Sequence, residues 1–246
     1  MSKSKILVVG GTGYIGKRVV KASLAQGHQT YVLMRREIGV DIEKLQMLLS
    51  FKEQGAILVE GSFYDHQSLV DAVKQVDVVI CTMSGVQFRS HNILLQLKLV
   101  DAIKEAGNIK RFLPSEFGMD PSRMGHSIEY GKETFEDKMV IRKAIEDAKI
   151  PYTYISANCL AVVFMDEDDV ATYTVKTVDD SRMLNKTLYL RPHKNILTHN
   201  QLIEKWEKLT NQTFEKVHIS AKDFLASIKG AYKRSCQDTD KKSILY

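Results

Sequence analysis

Six short apolar runs punctuate the first 160 residues: Lys5–Val9, Gln29–Met34, Ala56–Glu60, Asp77–Cys81, Arg111–Pro114 and Tyr152–Ser156. Between them, apolar residues return every three or four positions. That alternation predicts strands joined by amphipathic helices, and therefore an α/β fold with a doubly wound parallel sheet. The stretch from about His91 to Ala106 carries Leu94, Leu95, Leu97, Leu99, Val100 and Ile103, a broad stripe that reads as core. Beyond Asn158 the pattern thins to a short strand at Val162–Met165, a helix opened by Asp166, a strand at Lys186–Leu190 and a helix from Thr198. Thr198 and Gln201 have the spacing of a capping box. From Gly230 onward there is no periodicity, and the tail is expected to fray. The pattern thus divides the chain into a larger domain at 1–158, a reduced smaller one at 159–229 and a tail at 230–246.

The first run ends in Gly10-Gly11-Thr12-Gly13-Tyr14-Ile15-Gly16 and passes into Arg18-Val19-Val20. A strand running into glycines at this spacing and then into a helix is a dinucleotide-binding turn. Gly10 permits the reversal, Gly13 lets backbone approach a pyrophosphate, and Gly16 lets helix pack on strand. The helix start offers unpaired N–H groups and a positive dipole end. At the end of the second strand a site for NAD usually presents an acid, whereas arginine accommodates the extra phosphate of NADP. Arg35 and Arg36 stand there, and Lys44 can add a further charge. The reading is a Rossmann domain at 1–158 with NADPH as its cofactor.

Composition narrows the partners. With 246 residues, 44% of them apolar, the chain can bury a substantial core. The net charge of +5, from 35 basic and 30 acidic residues interspersed along the helices, argues against nucleic acid as main partner. Cys81, Cys159 and Cys236 follow no metal-ligand spacing, so no metal is expected and free thiols in a reducing, cytoplasmic compartment are. No apolar run approaches membrane-spanning length.

A hydride reaction also needs an acid or base. None of the ten tyrosines has lysine four residues later, so the Tyr-x-x-x-Lys arrangement is absent. Lys138 remains. At helical spacing Phe135, Lys138, Arg142 and Ile145 share a stripe, which places Lys138 at the border of an apolar face, where desolvation lowers its pKa. Such a lysine can act as a general base near neutral pH. From spacing alone, the competing reading is a surface lysine paired with Glu136.

Gly10–Gly16, Asp77–Ser84, Leu97–Gly107, the segment Pro114-Ser-Glu-Phe-Gly-Met-Asp-Pro-Ser-Arg-Met-Gly-His126 and Tyr152–Asn158 together resemble a plant reductase family. It comprises the isoflavone, phenylcoumaran benzylic ether and pinoresinol-lariciresinol reductases, NmrA-like members of the atypical short-chain reductases. Glu37–Phe51, Ser84-Gly-Val and Gly118–Met124 look most like its pinoresinol-lariciresinol branch. The resemblance implies NADPH, a lone catalytic lysine at Lys138, and cofactor positions at the glycine turn (residues 10 to 16), Arg35, Lys44 and Arg142. It also suggests Ser84, Arg89 and Asn158 as cofactor neighbours and Met119 as a substrate contact. From the residues alone, Asn158 can equally cap a strand and Met119 can equally fill core. The implied chemistry removes a phenol proton, opens the para benzylic ether to a quinone methide and adds hydride at the benzylic carbon. The implied substrate is a phenolic lignan, pinoresinol. A homodimer is implied as well, with the loop around Val86–Asn92 covering a neighbour's site.

The departures fall on the substrate side. In the family, the counterpart of Ser156–Cys159 leads into an aromatic, glycine-rich segment tens of residues long that lines the pocket. Here Leu160–Phe164 joins directly to Met165-Asp-Glu-Asp-Asp. A substrate-facing histidine of the family has no counterpart in His193, His199 or His218. These losses predict exposed apolar surface. They keep open phenylcoumaran or isoflavone reduction, and a cofactor-binding relative without turnover.

Overall fold

Alternate residues of the first strand enter different cores, as they must when a sheet is buried on both faces. Ile6 and Val8 of β1 (Ile6–Val9) join Val19 and Val20, while Leu7 and Val9 join Leu99, Val100 and Ile103. The computed structural model describes residues 3–35, 41–84, 93–127, 129–158 and 163–228. With β2 (Thr30–Met34), β3 (Ile57–Glu60), β4 (Val78–Cys81) and β5 (Arg111–Leu113), β1 forms a parallel sheet in the order β3-β2-β1-β4-β5. A parallel pair, β6 (Thr153–Ser156) with β7 (Lys186–Tyr189), is tied to β5 by a bridge between Phe112 and Tyr152. The doubly wound arrangement read from the sequence is therefore the observed one.

Helices α1 (Gly16–Ala25) and α6 (Glu167–Lys176) cover one face, α6 through Val170, Ala171 and Val175, together with Leu48 and Phe51 of α2 (Ile42–Glu53). The other face is covered by α4 (Gln96–Ala106) and α5 (Glu129–Asp147), the latter through Ile141 and Ile145; α3 (His66–Val73) contributes Ala72 and Val73. Acidic N-caps start several of these helices: Asp41, Asp65 and Asp166 each accept from a main-chain N–H in the first turn. Gly107, in the left-handed conformation, ends α4.

Three boundaries differ from the sequence reading. The expected strand at Val162–Met165 is, in its described part, a single antiparallel bridge from Val163 to Ile196. The expected helix near His91 begins, in its described part, as a 3-10 turn at Ile93–Leu95 before α4. The compact units divide between Leu197 and Thr198, so α6 and β7 fall in the first unit instead of beyond a break at 158. The second unit opens with α7 (His199–Thr210), where the Thr198–Gln201 capping box is formed as expected. Trp206 is 57% and Leu209 80% exposed there. No helix among the described residues is long and apolar enough to cross a membrane.

Gly16 is where helix and turn meet most tightly, because a Cβ there would lie 2.0 Å from the Gly10 carbonyl oxygen. We expect Gly16→Ala to destabilise the fold by about 3 kcal/mol, the upper range for overpacking. Gly125→Ala, which meets nothing within 4 Å, should stay within about 0.5 kcal/mol. Urea melts of the two variants compare them directly.

Candidate active site

Parallel strands deliver their following loops to one edge of the sheet, and the crevice there opens where the strand order reverses, between β1 and β4. Gly10 leaves β1 with φ +82, and a side chain on it would press on the Thr82 backbone at 3.1 Å. Thr82 follows β4 and ties the two strands by donating from Oγ1 to the Val9 carbonyl at 2.9 Å. The Gly13 N–H donates back to the Gly10 carbonyl at 2.9 Å. Ile15, the N-cap of the ten-residue α1, has helical backbone angles and offers no side-chain cap. Among the described residues nothing accepts the N–H groups of Thr12, Tyr14, Ile15 and Gly16. Unclaimed donors at a helix start, beside glycines whose missing side chains leave the backbone bare, fit a pyrophosphate.

The other members of the turn have distinct places. A Cβ on Gly11 would meet Val32 at 2.8 Å, so this glycine serves packing against β2. Ile15 packs against the core. Tyr14, 60% exposed, donates its hydroxyl to Glu167 and lies under the Arg18 guanidinium at 4.5 Å. Arg35 is exposed at the end of β2, and Lys44, in the first turn of α2, pairs with its own N-cap Asp41. Ser84 is exposed beyond β4. Arg36, Arg89 and the loop around Val86–Asn92 lie outside the described residues, as do Cys159 and Cys236.

Lys138 projects from α5 and is only 9% exposed. Its Nζ donates to the Glu116 main-chain oxygen at 2.9 Å. Burial lowers its pKa; the neighbouring Glu116 charge opposes that shift and Arg142 reinforces it. The surface reading is overturned, because Glu136 pairs instead with Lys132 at 3.1 Å.

One turn further, Arg142 grips Glu116 with Nε (2.6 Å) and Nη2, and reaches Asp120 with Nη1 at 3.0 Å. Its Cζ lies over the Tyr154 ring, 4.2 Å from the ring centre. Asp120 also accepts from the Tyr189 hydroxyl and from Ser122. All three nitrogens of Arg142, expected to meet cofactor, are thus committed to carboxylates. Asn158, left-handed at φ 61, donates its N–H to Gly118 and its side chain to Leu190, which is the strand-end cap weighed for it. Met119 is half-buried next to Asp120.

Sequence reading missed Glu116, Asp120, Tyr154, Tyr189 and Thr82. The available signal was two acids, Glu116 and Asp120, just after the apolar β5, at the strand end where such sites form. A cavity of about 340 Å³ lined by Lys3, Gln26, His28, Lys176 and Asp179 lies at the amino-terminal edge instead, away from these groups. No cluster of three or more metal-ligating side chains occurs among the described residues.

Fold and turn together define a Rossmann-type protein built to bind a dinucleotide phosphate. The chain belongs to the NmrA-like family, whose pattern matches residues 2–167 and 160–239. It is 65% identical to an isoflavone reductase homolog of Lupinus albus and 61% to a bifunctional pinoresinol-lariciresinol reductase of Sinopodophyllum hexandrum, in each case over 94% of this chain and 83% of the relative. Among solved structures it is similar to AtPrR2 with NADP+ and (+)pinoresinol, at a TM-score of 0.91 and 58% identity, over 94% of this chain and 83% of that one. The alignment to the lupin protein runs over 259 positions, whereas 94% of 246 residues is about 231, so a net of about 28 positions has no counterpart here. The two family matches meet at 160–167, which locates a break where the sequence reading found its missing segment.

Acid titration should report the buried cluster. Burial alone would raise the Asp120 carboxyl, but hydrogen bonds from Tyr189 and Ser122 and the Arg142 charge hold it below its ordinary 3.8. A depressed carboxyl stabilises the fold above its unfolded pKa, and that contribution is lost as pH falls through the lower folded value. Urea stability of the wild type should therefore drop more steeply below about pH 4 than that of Asp120→Asn. Parallel acid limbs would contradict this.

Proposed function

We propose that the chain is an NADPH-dependent reductase that opens the benzylic ethers of furofuran lignans, converting pinoresinol to lariciresinol and onward to secoisolariciresinol. The observation that carries this reading is the buried Lys138 amine at the carboxyl edge of a sheet that also presents a pyrophosphate-fitting turn. The names of similar proteins support the substrate class.

In this reading the turn residues Gly10, Gly11, Thr12, Gly13, Tyr14, Ile15 and Gly16 receive the pyrophosphate, and Arg35 and Lys44 face the 2′-phosphate. Ser84, Arg89 and Asn158 belong to the cofactor side and Met119 to the substrate side. Lys138, whose pKa its burial lowers, takes the proton of the phenol para to the benzylic ether. The phenolate electron pair moves through the ring, the benzylic C–O bond breaks, and the departing oxygen takes up a proton. Bound NADPH supplies the hydride that the benzylic carbon accepts. A homodimer and a cytoplasmic location complete the reading, supported by the family resemblance and by cysteine usage.

A second reading, cofactor binding without turnover, is favoured by the missing positions near 160–167. One experiment separates them. Purified chain, NADPH and racemic pinoresinol should yield lariciresinol on chiral chromatography, and Lys138→Ala should lower the rate about 10²-fold or more. No product, together with intact NADPH binding, would establish the second reading.

Coenzyme preference has its own check. By calorimetry NADPH should bind more tightly than NADH, and Arg35→Ser should narrow the gap. Equal affinities would remove the role given to Arg35.

A further inference from the structure

We propose that Glu116 is the positioning residue for Lys138, and that Arg142 acts by holding Glu116 in that role. The proposal rests on the reading of Lys138 as the base.

Glu116 is engaged at both ends. Its main-chain oxygen accepts from Lys138 Nζ, and its carboxylate is gripped by two nitrogens of Arg142. The peptide carrying that oxygen is pinned from the far side too, because the Phe117 N–H donates to the Ile155 carbonyl at 3.0 Å. Phe117 is held at φ 44, a left-handed conformation that a bulky residue adopts only when its surroundings enforce it. Glu116 N–H donates to the Pro114 carbonyl at 2.9 Å, which closes the loop behind it. An amine whose N–H is fixed on a rigid carbonyl has fewer directions open to its lone pair, which is what a base needs.

The arrangement also sets charge. The Glu116 carboxylate raises the Lys138 pKa, and the Arg142 guanidinium that grips that carboxylate lowers it. The surrounding charges are accounted for: Asp120 shares Arg142 and lies 3.8 Å from Arg123, Tyr189 donates to Asp120, and Tyr154 stacks on Arg142 and donates to Glu146.

The test reads Lys138 directly. Competitive acetylation with acetic anhydride across pH, followed by peptide mass spectrometry, gives the titration of Lys138 without substrate or cofactor, with exposed Lys143 as internal reference. Arg142→Met should move the Lys138 midpoint up, and Glu116→Gln should move it down. In turnover, both should lower kcat on the order of tenfold with KM little changed. Arg142→Lys should recover the midpoint more than the rate, because it restores charge without the two-pronged grip.

If either single variant fails to fold, the double variant Glu116→Gln/Arg142→Met, which leaves neither of that pair's charges unpaired, decides. Its midpoint should return toward wild type while kcat stays low. Midpoints that do not move, or that move the same way in both single variants, overturn the proposal, as does a double variant with wild-type kcat. A wild type that makes no lariciresinol sinks the reductase reading alone, since the acetylation result still stands or falls by itself.

Discussion

Everything functional in this molecule depends on the strands being parallel. Each strand of a parallel sheet hands its chain to the same edge, so Gly10 after β1, Thr82 after β4, Glu116 after β5 and Asn158 after β6 converge although long helices separate them in sequence. The reversal in strand order then leaves a gap between the loops leaving β1 and β4. The close approach of Gly16 to the Gly10 carbonyl sets how near α1 comes to that gap. A larger residue at either point would push the helix start, and with it the unclaimed N–H groups, away from the place where an anion would sit.

The shortened link after Asn158 does not strip the sheet. Exposed apolar surface was expected from the missing positions, yet the face of β1 carrying Ile6 and Val8 remains covered, because α6 supplies Val170, Ala171 and Val175 to the same cluster as Val19 and Val20. Parallel pairing of β7 with β6 also persists over four residue pairs. In the second unit, α7 presents Leu202, Trp206 and Leu209 on one side without burying any of them. Burial of apolar area is the main favourable term in folding, so the first unit retains that source of stability and α7, taken by itself, does not.

How much was legible in the sequence follows from the range of each interaction. The glycine turn could be read because its parts are contiguous and each glycine answers a local steric demand. Lys138 could be read in part, because its helical stripe with Arg142 and Ile145 is also local, and burial of that stripe follows from amphipathicity. What could not be read is the partner of a side chain. Glu116 lies 22 residues from Lys138 and 26 from Arg142, and Tyr189 lies 69 from Asp120. Helix periodicity places Arg142 on the inner face of α5; only the packing of α5 over β5 shows that two carboxylates await it. The same limit explains Asn158, whose strand-capping role depends on Leu190, 32 residues away.

The ion cluster is an expensive way to hold a loop. Moving Glu116, Asp120 and Arg142 out of water costs several kcal/mol per ion, and apolar replacements of similar volume are often as stable or more so. Stability is therefore a weak reason for its presence. Position is a better one, since a bidentate guanidinium fixes both the direction and the plane of its carboxylate, whereas apolar contacts fix neither. Tyr154, whose ring lies under the Arg142 guanidinium, and Tyr189, bonded to Asp120, further restrain the cluster, and both are supplied by the β6–β7 pair. That pair lies on either side of the shortened link in sequence. Its parallel register therefore does more than extend the sheet: it carries the two aromatic side chains to the charges that orient the lysine, and a slip of one residue in β7 would turn Tyr189 to the opposite face.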